Sequence, residues 1–456
     1  MSYTTFIFQI GRIDFNFLQS IKFKIGESSF TETLSSLALR EYYENENVKN
    51  ILIYPVSLVF SSHLLDNPKF RDFISKDFLN AFERAFTEPD AYLANPTEFF
   101  EKHPHSKEVD SFFVIHSLGT YSLRESTISF DCTYDDIVLE IFVYLIETYL
   151  NHVNYPTRYV IDISSGHNVY ISALIEAVRQ FGVFTELASW KDKSKKPTVA
   201  FAFSDPIIPG SDFTYNIHFE PLSVKTFFAA PIHSADFTQN SIVKSLSFGD
   251  KNLKKSLRGL IENFILTYSA LKNSIPLYIY QFGYDDEGTI KQCLEEIIAN
   301  LKKRFQENYR CSPKFQRDTL VRAFLVLAMY WGIIKTLIEI GVQKSNYNGI
   351  AIEDMKVAFD RVYDVFQLVP NKTLLGREVS DLTEVKLNKE ELHSEFRPLY
   401  LFLDKGKTGS PDKRNFLAHS GLERNITMVK CIDNKIFIKY DEKHENIIKR
   451  WLINSL

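Results

Sequence analysis

Residues 158–182 read RYVIDISSGHNVYISALIEAVRQFG, and the fold turns on how this run is parsed. The apolar start, Tyr159 to Asp162, suits a buried strand, and the long apolar-periodic tail suits a helix. Between them lies a turn of Ser164, Ser165, Gly166, His167 and Asn168. Strand, turn, helix is the repeating unit of an open α/β sheet. In such sheets ligands sit at the carboxyl ends of strands, near helix N-termini. Ser164 and Ser165 offer hydroxyls there, Gly166 lets a ligand approach the backbone, and Asn168 can read a base or ribose edge. The following helix lends its positive end to a phosphate. The same letters also suit an ordinary capped connection.

Working outward, the unit recurs. TTFIFQI (4–10) is a strand, with Gly11 and Arg12 behind it. FTETLSSLALREYYENE (30–46) has helical periodicity, and VKNILIYPVSLVF (48–60) is an apolar run of the parallel-sheet kind that Pro55 ends. A polar helical stretch follows over 67–86. SFFVIHSLGTYS (111–122) reads as one strand with a turn at Gly119, YDDIVLEIFVYLIETYLNHV (134–153) as a long helix, and KPTVAFAFSD (196–205) as a later strand. The βαβα order predicts a doubly wound, Rossmann-like sheet. No G-x-G-x-x-G follows the first strand and no Walker loop occurs, so NAD or ATP chemistry is unsupported.

From about Ser241 helical periods dominate, in 251–273, 287–309, 314–341 and 352–368. The segment ADFTQNSIVKSLSFGD (235–250) reads as the hinge between halves. ITMVKCIDNKIFIKY (426–440) alternates around Asp433-Asn434, a two-residue hairpin signal, and 441–456 returns to helix. The 456 residues carry a formal net charge of -4, which argues against a strongly basic nucleic-acid coat. Cys132, Cys293, Cys311 and Cys431 show no CxxC pairing, so neither a zinc site nor a disulfide framework is expected and the chain reads as intracellular. The apolar AFLVLAMYWGII, between Arg322 and Lys335, is too short to span ~30 Å of hydrocarbon and reads as a core helix.

One further stretch, SPDKRNFLAHSGLERN (410–425), belongs to neither pattern. Ser410 suits an N-cap, Pro411 the first helical position, Asp412 the positive helix end and Gly421 the stop. Asn415 and His419 are four apart and share a helix face, whereas Arg414 stands about 140° round from His419 by the 3.6-residue period. A long arginine can bend back to that face, or Arg414 of one subunit can meet His419 of another. The residue types have a joint use on RNA, which carries its own 2′-hydroxyl nucleophile. A histidine can move its proton, a guanidinium can hold the phosphate and stabilise its developing charge, and an asparagine can orient either. No metal-ligand cluster is needed. A capped helix with a charged outer face is the plainer account of the same letters.

Together the two motifs resemble the CRISPR-associated CARF–HEPN ribonucleases of type III systems. DISSGHN (162–168) is similar to the family's sensor turn, with Ser165 where many members have histidine and His167 following the glycine. YPVSL (54–58) and HSLGTY (116–121) are similar to its other ligand-facing loops. RNFLAHSGL (414–422) is similar to its R-N-x-x-x-H catalytic segment, matching Arg414, Asn415 and His419 in turn. The resemblance implies a CARF domain over 1–225, a helical linker region over 226–340, and a mostly helical HEPN domain with a small hairpin over 341–456. It implies ligand contacts from Gly11, Arg12, Pro55, Val56, Ser57, Leu58, Gly119, Thr120, Tyr121, Ser164, Ser165, Gly166, His167 and Asn168. The implied activator is a cyclic oligoadenylate, cyclic tetra-adenylate being the family's usual one. The implied activity is cleavage of single-stranded RNA by a cytoplasmic homodimer or higher oligomer, without metal or other required cofactor, leaving a 2′,3′-cyclic phosphate. A sensor whose helical half is a non-catalytic regulatory or interaction domain is the alternative, and the Arg414–His419 pair favours the enzyme. Whether the sensor degrades its own ligand stays open.

Overall fold

A computed structural model of the chain describes residues 3–14, 17–60, 62–123, 127–191, 196–206, 213–232, 241–387, 392–403 and 409–456. The chain forms two compact units. One holds Met1–Glu186, Asp192–Lys225 and Glu295–Val321, the other Leu187–Lys191, Thr226–Leu294 and Arg322–Leu456. The 226–340 region is thereby shared, with 295–321 clustering in the first unit and the remainder in the second.

The first unit is built on ten strands among the described residues: β1 (Thr4–Ile10), β2 (Ile21–Ile25), β3 (Ser28–Glu32), β4 (Asn47–Pro55), β5 (Ser111–Ile115), β6 (Leu118–Ser122), β7 (Thr127–Asp131), β8 (Thr157–Asp162), β9 (Thr198–Ser204) and β10 (Thr214–Pro221). Eight of them form a mixed sheet in the order β3-β2-β10-β9-β8-β1-β4-β5. Its centre is parallel, β1 pairing with β4 and β8, β4 with β5, and β8 with β9. That explains the unbroken apolar run of β1, buried from Thr5 to Ile10, because a strand covered on both faces has no polar side to alternate with. After the edge hairpin β2–β3, the chain adds β4 and β5 on one side of β1 and then β8 and β9 on the other. The order therefore reverses between β1 and β8, and their carboxyl ends are where a sheet of this kind forms its ligand crevice.

Much of the core is aromatic. Tyr54 stacks on Phe100 at 4.4 Å, and Phe78 and Phe82 pack within the same cluster with neither exposed. Each such burial contributes ~1.5–3 kcal/mol. Thr133 and Asp136 form a reciprocal capping box that starts the helix Tyr134–His152, and twelve of its nineteen residues are buried.

The second unit is helical, with Lys251–Lys272, Pro276–Phe282, Ile352–Val365, Val369–Ser380 and Glu445–Ile453. It also has a small sheet of β11 (Ile350–Ala351), β12 (Arg397–Pro398), β13 (Thr427–Ile432) and β14 (Lys435–Tyr440), in the order β11-β14-β13-β12. Asp433 and Asn434 take φ of 49° and 60°, the paired left-handed conformation of a type I′ hairpin turn.

Several local expectations change. The expected helix over 30–46 shortens to Ser35–Tyr42, because its first residues belong to β3. The run 111–122 is two strands, since the chain turns inward at His116 and restarts as β6, paired with β7. Gly119 lies inside β6 with φ of 93°. The hairpin β2–β3 and strand β10 extend the sheet beyond the strands read from sequence. The first six residues of the expected hinge lie outside the described residues, and Ser241–Ser247 is helix. The apolar stretch near Trp331 belongs to a longer helix, Arg317–Ile340, which is long and apolar enough to cross a membrane by length and composition, with 72% of that window buried inside the protein.

Candidate functional sites

In the first unit the crevice is flanked by the residues that follow β1 and β8. Gly11 donates its N–H to Ile53 O at 2.8 Å, and a Cβ there would overlap the buried Tyr54 ring, so the position requires glycine. Arg12 turns to Asp14, its Nε 2.6 Å from the Asp14 carboxylate. Asp162, fully buried at the end of β8, accepts from Ser164 N at 2.9 Å. Burial raises the pKa of its carboxyl, while hydrogen bonds from Ser164 and Ser35 pull it down. Ser164 Oγ accepts from Ser204 N at 2.9 Å and ties the turn to β9. Gly166 holds φ of 80° with open space where a Cβ would stand. The Ser165 hydroxyl is buried with no hydrogen-bond partner among the described residues. His167 sits near Arg12 and Asp14, and burial, followed by the Arg12 charge, lowers its pKa. Exposed Asn168 opens the helix Asn168–Ala188.

The loops after β4 and β5 form a second group. Ser57 N donates to Ser117 Oγ at 2.9 Å, and Ser57 Oγ lies 3.1 Å from the Tyr170 hydroxyl. Tyr121 donates to Leu118 O at 2.9 Å. Burial, reinforced by Tyr170, pushes the Tyr121 pKa up to about 12. Gly119 and Thr120 are exposed, with Thr120 Oγ1 2.7 Å from Ser129 Oγ. Pro55, Val56 and Leu58 are buried, Val56 and Leu58 within the apolar core. The sequence-selected residues thus divide into a crevice set (Gly11, Arg12, Ser164 to Asn168), a loop set around Ser57, Gly119, Thr120 and Tyr121, and three core side chains. Tyr170, absent from the sequence reading, links the loop set to the helix that follows the turn.

In the second unit the stretch 413–418 forms a helix of six residues, Lys413–Ala418. Its N-cap is Asp412, not Ser410. The Asp412 carboxylate reaches the Asn415 N–H at 2.8 Å, leaving Ser410 and Pro411 outside the helix. His419 stands at the C-cap with φ of -112° and donates its N–H to Asn415 O at 3.0 Å. Ser420 and Gly421 then reverse the chain with φ of 52° and 79°. A side chain at Gly421 would collide with the Tyr440 hydroxyl and Ile275.

The His419 ring is 47% exposed, and its Nδ1 lies 2.9 Å from Oε2 of Glu378, which is 7% exposed. An ionised carboxylate only accepts, so Nδ1 carries the hydrogen. Nε2 is left to take or give a proton. Arg377 Nη2 holds the other Glu378 oxygen at 3.0 Å. Glu378 lies in the helix Val369–Ser380, which runs straight into a π-helical turn, Asp381–Lys386. Wide turns of this kind concentrate at functional sites. His419, Asn415 and Glu378 line a cavity of about 450 Å³ together with Leu382, Leu399, Phe402, Glu423 and Arg424. Arg414 is exposed, does not line this cavity, and pairs with no side chain among the described residues. The structure therefore joins Asn415 to His419 and leaves Arg414 exposed and outside that lining. Glu378 was not legible in the sequence, being 41 residues from His419 with no fixed spacing. Among the described residues no group of three His, Cys, Asp or Glu side chains is placed to hold a metal ion.

Two family models match the chain. One, described as the CARF domain of the CRISPR system endoribonuclease Csx1, matches residues 5–206 and contains every sequence-selected ligand residue. The other, described as the HEPN domain of the same endoribonuclease, matches residues 368–442 and contains Glu378, Arg414, Asn415 and His419. No curated protein matches the chain. With a ligand-sensing domain on the Rossmann-like sheet and a ribonuclease domain on the helical unit, the chain belongs to the CRISPR-associated CARF–HEPN endoribonucleases.

Proposed function

We propose that the chain is a cyclic oligoadenylate-activated endoribonuclease that cleaves single-stranded RNA without a metal. The observation that carries this reading is the His419 Nδ1–Glu378 Oε2 hydrogen bond at 2.9 Å beside an open cavity. Glu378 fixes the imidazole tautomer, as a buried acid orients the histidine of a hydrolytic triad. His419 Nε2 removes the proton of the RNA 2′-hydroxyl. The alkoxide attacks the adjacent phosphorus and expels the 5′-oxygen of the next nucleotide. The products are a 2′,3′-cyclic phosphate and, once the leaving oxygen takes a proton, a 5′-hydroxyl. Arg414 stabilises charge on the phosphate. Because Arg414 does not line the His419 cavity of its own chain, the complete site combines residues of two protomers, and a two-fold homodimer is the simplest assembly.

Cyclic tetra-adenylate is the proposed activator, held across the dimer axis by the crevice residues Gly11, Arg12 and Ser164 to Asn168. The helix N-terminus at Asn168 and the positive-φ Gly166 favour a phosphate close to the backbone. A cytoplasmic location accompanies this reading. The test is incubation of labelled single-stranded RNA with the protein in EDTA, with and without cyclic oligoadenylates of each ring size. Cleavage that appears with one ring size and persists in EDTA supports the reading. Strict dependence on Mg²⁺ or Mn²⁺ contradicts it.

A further inference from the structure

The hairpin β13–β14 buries one face, and its other face carries cations with no acid to pair them. Along the two strands the inward side chains Val429, Ile436, Ile438 and Tyr440 are buried, following the period-two alternation of a strand. The outward face sets Lys430 opposite Phe437, Met428 opposite Lys439 and Ile432 opposite Lys435. Phe396, one residue before β12, joins this face. Lys430 Nζ lies 4.5 Å and Lys439 Nζ 4.9 Å from the centre of the Phe396 ring, and Lys430 Nζ also lies 5.6 Å from that of Phe437. Gly349 makes room for the Phe396 ring, since a Cβ there would collide with it. None of Lys430, Lys435 and Lys439 forms a salt bridge among the described residues. The acids nearest in the chain are engaged elsewhere or stand at the tip: Glu395 lies 3.8 Å from Arg397, Asp441 lies 2.7 Å from Lys443, and Asp433 is in the hairpin turn.

An ammonium resting on a ring is held less strongly than one on a phosphate oxygen, where charge and hydrogen bond act together. Three such cations and two half-exposed phenylalanines, in a chain of net charge -4, fit a polyanion that carries flat groups between its charges. Single-stranded RNA has that chemistry, with phosphates for the lysines and bases that stack on the rings whatever their sequence. An acidic protein surface would satisfy the lysines and leave the rings unused. The face is also close along the chain to the catalytic cavity. Leu399, which lines that cavity, follows Phe396 by three residues, at most ~11 Å of extended chain. We propose that the outward face of this hairpin, with Phe396, is a docking surface for single-stranded RNA beyond the cleaved bond. Lys430, Lys435 and Lys439 take phosphates, and Phe396 and Phe437 take bases. The inference rests on the ribonuclease reading above.

The experiment measures binding of a fluorescent oligouridine to the full chain carrying His419→Ala, which stops cleavage, at several salt concentrations with and without cyclic tetra-adenylate. Adding Lys430→Gln and Lys439→Gln should weaken binding by about tenfold at low salt. The slope of log affinity against log salt should fall by about 0.7 for each lysine lost, the value for a phosphate contact on a single strand. Phe396→Leu keeps every charge and should weaken binding with the slope intact. Lys102→Gln, which removes one charge from the first unit, should change neither. An unchanged Tm of the lysine variant separates lost contacts from lost folding. Equal affinity and slope in the lysine variant and its parent overturns the RNA surface, leaves the ribonuclease reading intact and is the result expected of a face that serves an acidic protein. An equal drop per lysine in Lys102→Gln assigns the effect to net charge and also overturns it. Failure of the unsubstituted chain to bind or cleave RNA under any of these conditions overturns both readings.

Discussion

His419 Nδ1 lies 2.9 Å from Glu378 Oε2, joining the exposed ring of a short helix to a buried acid 41 residues earlier in the chain. The contact fixes which ring nitrogen faces the cavity. It makes Glu378 a positioning residue whose loss should be felt in the chemical step.

Glu378→Gln keeps the shape of the side chain but lets an amide N–H face Nδ1, which favours the wrong tautomer. We expect kcat to fall roughly 10²-fold, the scale of a misplaced general base, with little change in KM for RNA. Single-turnover cleavage over a range of RNA concentrations separates the two. A fall in KM-dependent rates with kcat intact would mean that Glu378 shapes the cavity and does not orient His419.

Arg414 does not line the His419 cavity of its own chain, which leads to a prediction about mixtures. Arg414→Ala and His419→Ala proteins should each be nearly inactive, having lost ~10²-fold or more. Mixed after subunit exchange, they should regain activity above either alone, because a hybrid pairs one intact arginine with one intact histidine across the interface. A mixture no more active than the mean of its parts would place both residues in one chain's site.

How much of this could be read from the letters depends on whether the signal is local. β1, β4 and β8 were legible because central parallel strands are apolar throughout, and the Asp433-Asn434 turn because its backbone conformation restricts residue type. The hairpin β2–β3 was not, since IKFKI alternates over only five residues and its partner SSFTE has a single large apolar residue, Phe30. The N-cap was placed two residues early because Ser410 and Asp412 both suit the role and only the 2.8 Å contact to Asn415 N decides between them. Arg414, Asn415 and His419 could be singled out by spacing. Glu378 could not, because its relation to His419 exists only after folding.

The first unit also hides two histidines. His103 and His105 are fully buried with ring centroids 5.3 Å apart. Burial lowers the pKa of His103 well below its ordinary value and takes that of His105 to about 4. The unfolded chain therefore binds more protons between about pH 6.5 and pH 4, so this contribution to stability is complete above pH 6.5 and is lost as pH falls through that window. His116 acts in the opposite sense. Burial works against its charged form, yet Glu140 at 3.0 Å and the Asn308 carbonyl hold its pKa above the ordinary value. Its contribution is present in acid and is lost as pH rises through the folded value. Calorimetric Tm values at pH 7 and pH 5 should isolate the first effect: His105→Leu should lose less Tm between them than the wild type. Parallel losses in the two proteins would show that His105 is not buried in its neutral form.

The central claim is that a ligand bound by the first unit switches RNA cleavage by His419 in the second. It is tested most directly by titrating cyclic tetra-adenylate while measuring both its binding and RNA cleavage, in wild type, Asn168→Ala and His419→Ala proteins. A 100-fold activation needs a differential of about 2.7 kcal/mol between active and resting states, and losing one or two hydrogen bonds to a charged ligand, ~1.5–3 kcal/mol each, removes most of it. The account predicts that His419→Ala binds the activator like wild type and does not cleave, and that Asn168→Ala keeps its basal cleavage but binds weakly and responds little. Cleavage by a folded His419→Ala protein, or wild-type binding and response in Asn168→Ala, would contradict it.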